Sequence, residues 1–365
     1  MKTRPQDQIL KPGELFERSL AIILHGQHAS GAYVASPNFP TYDYCWFRDG
    51  AFIAYAMDRA GEHASARRFH DWAATAVLRH ADRARRAVEK GHAGLPLAAE
   101  DVLHTRYTLE GQEAQEEEWP NFQLDGFGTW LWALDQHLRL SGQPAQADWL
   151  QAAGLTVEYL AALWSRPCYD CWEEYPDQVH LHTLAAIYGG LASPARLAVQ
   201  EQDGTLQAIR EYVFEHGTYD GYFVKFVGSY TVDASLLGLS TPYRLVTTDD
   251  PRIRATVQRI EKSLVHGGGV HRYPTDTYYG GGEWVLLAGW LGWYYAENGE
   301  TDRASELLAW MAAQADDQGR LPEQVPASLI DPNYLCPWVR RWGPIASPLL
   351  WSHAMYLVLR CALAD

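Results

Sequence analysis

Cysteine is scarce in this chain: five in 365 residues, an odd number that cannot all pair within one molecule. A disulfide scaffold is excluded, and free thiols in a reducing compartment are the expected state. No apolar run reaches the roughly 18 residues that a membrane span needs. The opening residues, MKTRPQDQIL, lack an apolar core, so no secretory signal is read there. Both absences point to the cytoplasm. Low-complexity stretches and linkers are missing too, and 47% hydrophobic residues suffice for a large core. Positive charge is in deficit, with 30 Lys and Arg against 45 Asp and Glu, a net −15. That field repels nucleic-acid phosphates and anionic lipid surfaces, so neither is an expected partner. A neutral small molecule suits it better. Strand-type alternation is also scarce.

Amphipathic helical periodicity is what the chain has instead. It predicts twelve helices, over 14–28, 49–61, 62–86, 126–141, 145–165, 178–190, 192–215, 229–238, 251–264, 283–298, 301–316 and 347–363. Asp49 and Asp125 are read as caps of the second and fourth. Short breaks such as GQP (142–144) and NGETD (298–302) make αα-hairpins of neighbouring helices. Six hairpins suit a two-layered ring. Even-numbered helices such as EWVLLAGWLGWYY are apolar on most sides and belong inside, while odd ones carry a charged face. The expectation is one all-α domain over 1–365, acting as a monomer.

Aromatic residues are abundant: 15 Trp and 21 Tyr. Most are read as core. The rest gather in segments before the inner helices: YDYCWFRDG (42–50), WPNFQLDG (119–126), YDCWEEY (169–175), YDGYFVKFVGSY (219–230), RYPTDTYYGGGEW (272–284), and GRLPEQV (319–325) with WVRRWGP (338–344). In a ring of parallel inner helices these six loops open on one face and form one funnel. Flat rings with N–H and O–H edges match the C–H faces and hydroxyls of a sugar.

These segments, in this order, with DCWEE, PEQ (322–324) and LLWSHA (349–354) among them, resemble the catalytic domain of glycoside hydrolase family 15, the glucoamylase-type exo-α-glucosidases, over about residues 31–356. The resemblance implies an (α/α)6 barrel and hydrolysis with inversion. It implies Glu173 as general acid, Glu323 as general base, and Glu174 on the leaving-group side. It implies Arg48 and Asp49 gripping the terminal glucose, Arg272 touching the sugar, and Tyr42, Trp46, Trp119, Trp284 and Trp351 as aromatic walls. The β-sandwich and starch-binding domains found in relatives are not expected here.

The residues support that chemistry independently. Glycoside cleavage needs one protonated and one ionised carboxyl group on opposite faces of the bond. Glu173 follows Trp172, and apolar shielding beside the Glu174 charge favours its protonated form. Glu323 lies 150 positions later and approaches from another loop. Inversion requires the pair to stand about 6.5–9.5 Å apart. Arg48 and Asp49 can bond the hydroxyls of a chain end, which selects exo action. Taken alone, Glu173 also fits a helix-start acid.

Other residues receive simpler readings. Cys168 and Cys171 form C-x-x-C without the context of a redox or zinc site. His180 and His182 point to different faces of a helix. Asp43, Asp170, Asp220 and Asp233 are read as capping or supporting residues, and Asp276 and Glu283 as either substrate contacts or caps of the tenth helix. The GGG runs at 267–269 and 280–282 are read as turns. No metal or organic cofactor is implied, because proton transfer suffices. The expected substrate is a short α-glucoside, isomalto-oligosaccharides slightly ahead of malto-oligosaccharides, with trehalose third. Glu174, Trp338, Arg341 and Trp342 are the candidates for choosing between them. A glycoside phosphorylase and a non-catalytic sugar-binding protein are the alternatives.

Overall fold

The computed structural model describes residues 12–114, 119–193, 197 and 202–365. Its helices are α1 (Pro12–His25), α2 (Phe47–Arg59), α3 (His63–Arg79), α4 (Ala81–His92), α5 (Asp125–Ser141), α6 (Ala147–Leu163) and α7 (Leu181–Leu191). They continue with α8 (Asp203–His216), α9 (Pro251–Leu264), α10 (Val285–Glu297), α11 (Thr301–Ala313), α12 (Leu335–Trp342) and α13 (Leu350–Ala362). The inner ring closes on itself: α2 packs on α5, α5 on α7, α7 on a 3-10 segment (Ala234–Leu239), that segment on α10, α10 on α13, and α13 on α2. Outside it, α1 lies on α13, α3 on α2, α6 on α3, α8 on α7, α9 on the 3-10 segment and α11 on α10. The fold is an (α/α)6 barrel.

Burial follows the apolar patterning. Every residue of α10 from Val285 to Tyr295 is buried, so this helix is apolar all round and stands in the inner layer. In α3 the buried positions include Ala66, Phe69, Ala73 and Ala76, while Arg67 and Arg68 are exposed, so only one stripe faces the ring. Two inner helices touch through glycine. A Cβ on Gly128 of α5 would lie 2.4 Å from the Ala186 carbonyl oxygen of α7, so no other residue allows that approach.

Several expected boundaries move. The helix read at 62–86 breaks at His80 into α3 and α4. The eighth helix, read at 229–238, is the short 3-10 segment, capped by Asp233, whose carboxylate accepts from the Ser235 N–H. Of the helix read at 192–215, much of the beginning lies outside the described residues; α8 covers its second half. Asp49 and Asp125 are not caps. Each sits in the first turn of its helix, behind Trp46 and Leu124, and its carboxylate is turned to Arg48 instead.

Short antiparallel strand pairs staple the loops. β1 (Cys45–Trp46) pairs with β2 (Arg106–Tyr107), β3 (Thr218–Tyr219) with β4 (Tyr222–Phe223), β5 (Val265–His266) with β6 (Gly269–Val270), and β7 (Glu283–Trp284) with β8 (Gln324–Val325). The β5–β6 turn has φ +57° at Gly267 and +100° at Gly268, the conformation a two-residue hairpin asks of its central residues. All five cysteines are free thiols. No helix among the described residues is long and apolar enough to cross a membrane.

Candidate active site

A cavity of about 570 Å³ opens at the N-terminal ends of the inner helices. Tyr42, Trp46, Arg48, Asp49, Trp119, Glu173, Glu174, Arg272, Trp284, Glu323 and Trp351 all line it. So do Trp338, Arg341 and Trp342, carried by α12, a helix that the periodicity did not reveal. The 219–230 loop does not line it. It stands behind the wall and sends Lys225 toward the Glu173 loop.

That loop is built around one carboxylate. Asp170 Oδ1 accepts from the backbone N–H groups of Trp172 (3.0 Å) and Glu174 (2.8 Å). Lys225 Nζ pairs with Asp170 (2.9 Å) and Asp233 (2.6 Å), and Asp233 also accepts from the Trp172 indole N–H. Burial opposes an ionised Asp170, but Lys225 and His180 hold its carboxyl below the usual range. Glu173 sits in this frame at φ +69°, uncommon for a residue with a Cβ. It is not a helix-start acid, since α7 begins only at Leu181. Trp46 Nε1–H donates to Glu173 Oε1 at 2.6 Å, and Gln123 Nε2–H donates to the same oxygen at 3.3 Å. Oε2 is left without these donors and can carry a proton.

Glu323 arrives from the opposite quarter of the chain. The β7–β8 pair sets Trp284 opposite Gln324, and the Glu323 N–H donates to the Ala346 carbonyl. Its side chain is buried, and burial pushes its carboxyl up to about 7, although Tyr42 and Arg272 pull it down. Tyr42 donates to Glu323 Oε1 at 2.9 Å, so the proton of its 2.7 Å contact with the Tyr278 hydroxyl comes from Tyr278. The Tyr42 and Trp46 rings, which hold Glu323 and Glu173 respectively, meet edge to face at 5.7 Å. Both carboxyl groups therefore serve one cavity.

The two arginines are anchored from behind. Arg48 Nη1 donates to Gln123 and Asp125, both at 2.9 Å, and its Nε lies 3.9 Å from Asp49. Burial pushes Asp49 up to about 7, Arg48 opposing. Arg272 is clamped by both oxygens of Asp276 and reaches Glu174 at 3.5 Å. Glu174 also accepts from the Tyr273 hydroxyl at 2.6 Å and is raised by burial against the Arg272 charge. Asp276 is thus neither helix cap nor cavity wall. Glu283 faces away and accepts from the Gly269 N–H at 3.3 Å. His180 and His182 bond the backbone carbonyls of Tyr175 and Ser235.

Several buried polar atoms of the cavity have no hydrogen-bond partner among the described residues: the indole nitrogens of Trp119, Trp284 and Trp351, Arg48 Nε and Glu323 Oε2. Buried polar groups are nearly always satisfied, so this concentration marks a place for a ligand rich in hydroxyls. Tyr278, Gln123, Asp170 and Lys225 escaped the sequence reading as functional residues. Tyr278 stood inside a quoted segment, and a lysine amid the aromatics of YDGYFVKFVGSY was the available signal for Lys225.

The family model for glycosyl hydrolases family 15 matches residues 15–336. Isomaltose glucohydrolase of Kribbella flavida is 43% identical over 357 residues, covering 95% of this chain and 91% of that one. A solved glycosidase carrying a Glu-to-Ala substitution, in complex with glucose, superposes with a TM-score of 0.93 at 41% identity, covering 99% of both chains. Trehalase 1 of Sulfolobus acidocaldarius is 24% identical over 345 residues, covering 83% of this chain and 57% of that one. The extent of these matches, together with two buried glutamates on one sugar-sized cavity at the mouth of the barrel, makes the chain a member of glycosyl hydrolases family 15 and a glycoside hydrolase.

Proposed function

We propose that this enzyme releases β-glucose from the non-reducing end of short α-glucosides by inversion, isomaltose-type α-1,6 links ahead of α-1,4 links. The observation that carries this is that Glu173 and Glu323 reach one cavity from loops 150 positions apart. Glu173 Oε2 gives its proton to the glycosidic oxygen. Glu323 takes a proton from water, which attacks the anomeric carbon from the other face. The positive charge that develops on the ring is met by Glu323 and the Tyr42 oxygen. Arg48 Nε and Asp49 hold the far hydroxyls of the terminal glucose; they close the cavity there and leave no room for a further unit. Glu174, Trp338, Arg341 and Trp342 surround the leaving group.

The α-1,6 preference rests on the similarity to isomaltose glucohydrolase. The trehalase relative supports trehalose as the second substrate to test. A phosphorylase uses phosphate in place of a base-activated water, and the Glu323 carboxyl in this cavity supplies the base that phosphate would make needless. We place the enzyme in the cytoplasm, as a monomer, in keeping with its five unpaired thiols. The deciding experiment is proton NMR of isomaltose, maltose and trehalose during hydrolysis. Isomaltose and maltose should give β-glucose from the cleaved residue first, fastest from isomaltose, and trehalose should give equal β- and α-glucose, the α-anomer being its leaving group. An α-anomer from the cleaved residue of isomaltose or maltose would exclude inversion, and inactivity on all three would exclude the glucosidase reading.

A further inference from the structure

Away from the cavity, the barrel holds a second group of titratable side chains that the reaction does not use. Asp58 lies in the last turn of α2, His70 in the middle of α3 and His137 in α5. Asp58 is nine residues beyond Asp49, about 14 Å along the helix, so this group sits toward the far end of the ring. All three are buried, with 3%, 0% and 1% of their surface exposed.

The hydrogen bonding here is incomplete. His137 Nδ1 lies 2.9 and 3.0 Å from the two Asp58 oxygens, which makes it the donor and leaves the lone pair on Nε2. That Nε2 has no hydrogen-bond partner among the described residues. His70 is more extreme, since neither of its ring nitrogens has one. Its ring stands 5.0 Å from that of His137, and Trp149 packs against both. A buried imidazole with two idle nitrogens is costly unless something binds it.

We propose that Asp58, His70 and His137 bind one divalent transition-metal ion, with zinc the natural fit. One ligand atom from each residue lies within 4.8 Å of the other two. Tetrahedral zinc with bonds of about 2.0–2.1 Å needs ligand atoms roughly 3.4 Å apart; His137 meets the ion through Nδ1, beside the Asp58 oxygens, so that nitrogen gives up its proton on binding and the side chains close in modestly. Two imidazoles and a carboxylate favour zinc or its neighbours over magnesium or calcium, which take oxygen shells. His63 Nδ1, 2.7 Å from Asp58 Oδ1, steadies the carboxylate as the supporting partner a ligand requires. Its side chain is 38% exposed, so it also marks the way in. The ion would tie α2, α3 and α5 together and stabilise the barrel without entering the chemistry. The sequence reading assigned no metal, because these residues are dispersed over three helices with no ligand spacing to read.

The test uses the full chain stripped with chelator and titrated with Zn²⁺ alone, followed by calorimetry and thermal unfolding, with Co²⁺ as a visible substitute. One ion per chain should bind at micromolar affinity or tighter, raise Tm, and give the absorption of four-coordinate cobalt. His70→Asn should weaken binding by about 100-fold and leave glycosidase turnover within about twofold. His137→Gln should weaken it similarly. If either variant fails to fold, anomalous scattering from Zn²⁺-soaked wild-type crystals decides: a peak between the three residues supports the site. No stoichiometric binding, no peak there, or full binding by His70→Asn overturns it and leaves the two histidines bridged by ordered water.

Discussion

Tyr42 donates its phenolic hydrogen to Glu323 Oε1 across 2.9 Å, joining residues 281 positions apart. This bond selectively stabilises the ionised carboxylate, the form that can take a proton from water. Burial works the other way and holds Glu323 up at about 7. The acidic limb of the rate, as kcat/KM, should therefore climb with pH through about 7 as Glu323 ionises. Tyr42→Phe removes the donor, so the Glu323 pKa rises further and the acidic limb moves to higher pH. The loss of rate should be larger at pH 6 than at pH 8. Asp49 is also raised to about 7, but it does not touch Tyr42. A limb that stays in place would show that Glu323 does not govern it.

Glu173 is tested through its leaving group. Replacing it with Gln keeps the acceptor for Trp46 and Gln123 and removes the transferable proton. Turnover of isomaltose should fall by about 10²–10⁴-fold. An aryl glucoside or glucosyl fluoride, whose leaving group needs little protonation, should lose far less. Equal losses on both kinds of substrate would argue against an acid role.

Glu323 also makes a stability prediction. Its carboxyl rises from 4.5 in the unfolded chain to about 7 in the folded one, so between these values the folded state holds a proton that the unfolded state has lost. Stability then falls as pH rises through that window. Glu323→Gln cannot ionise. It should abolish turnover, retain sugar binding, and gain stability on the order of 1–3 kcal/mol at pH 7–8, with little gain at pH 4. Parallel melts of the two proteins at both pH values decide this.

Lys225 is the buried counter-charge behind the Glu173 loop. Lys225→Met leaves Asp170 and Asp233 unpaired in a low-dielectric space, at a cost of about 3–5 kcal/mol. The Asp170-centred loop should loosen as well, so kcat should drop more than KM changes. A variant with wild-type melting and turnover would show that the loop is held by its backbone bonds alone.

Much of this protein was written in its linear pattern. Helical periodicity set the barrel, because an apolar stripe at every third or fourth residue has to be buried by a neighbour, and a helix apolar all round has to go inside. Parallel inner helices then forced the loops before them onto one end, which is why all eleven predicted residues share one cavity. What pattern cannot carry is pairing between distant polar groups. The Tyr278–Tyr42–Glu323 chain, the clamping of Arg272 by Asp276, and Asp125 turning from its helix to Arg48 each depend on which loops the closed ring brings within 3 Å or so. α12 was beyond reach, and the 3-10 segment was read as a longer helix over 229–238, since elements of six to eight residues span too few turns to display a clear period. Local sequence decided which surfaces are apolar. Only the closed ring decided which charges meet, because electrostatic and hydrogen-bonding partners are chosen by distance in space.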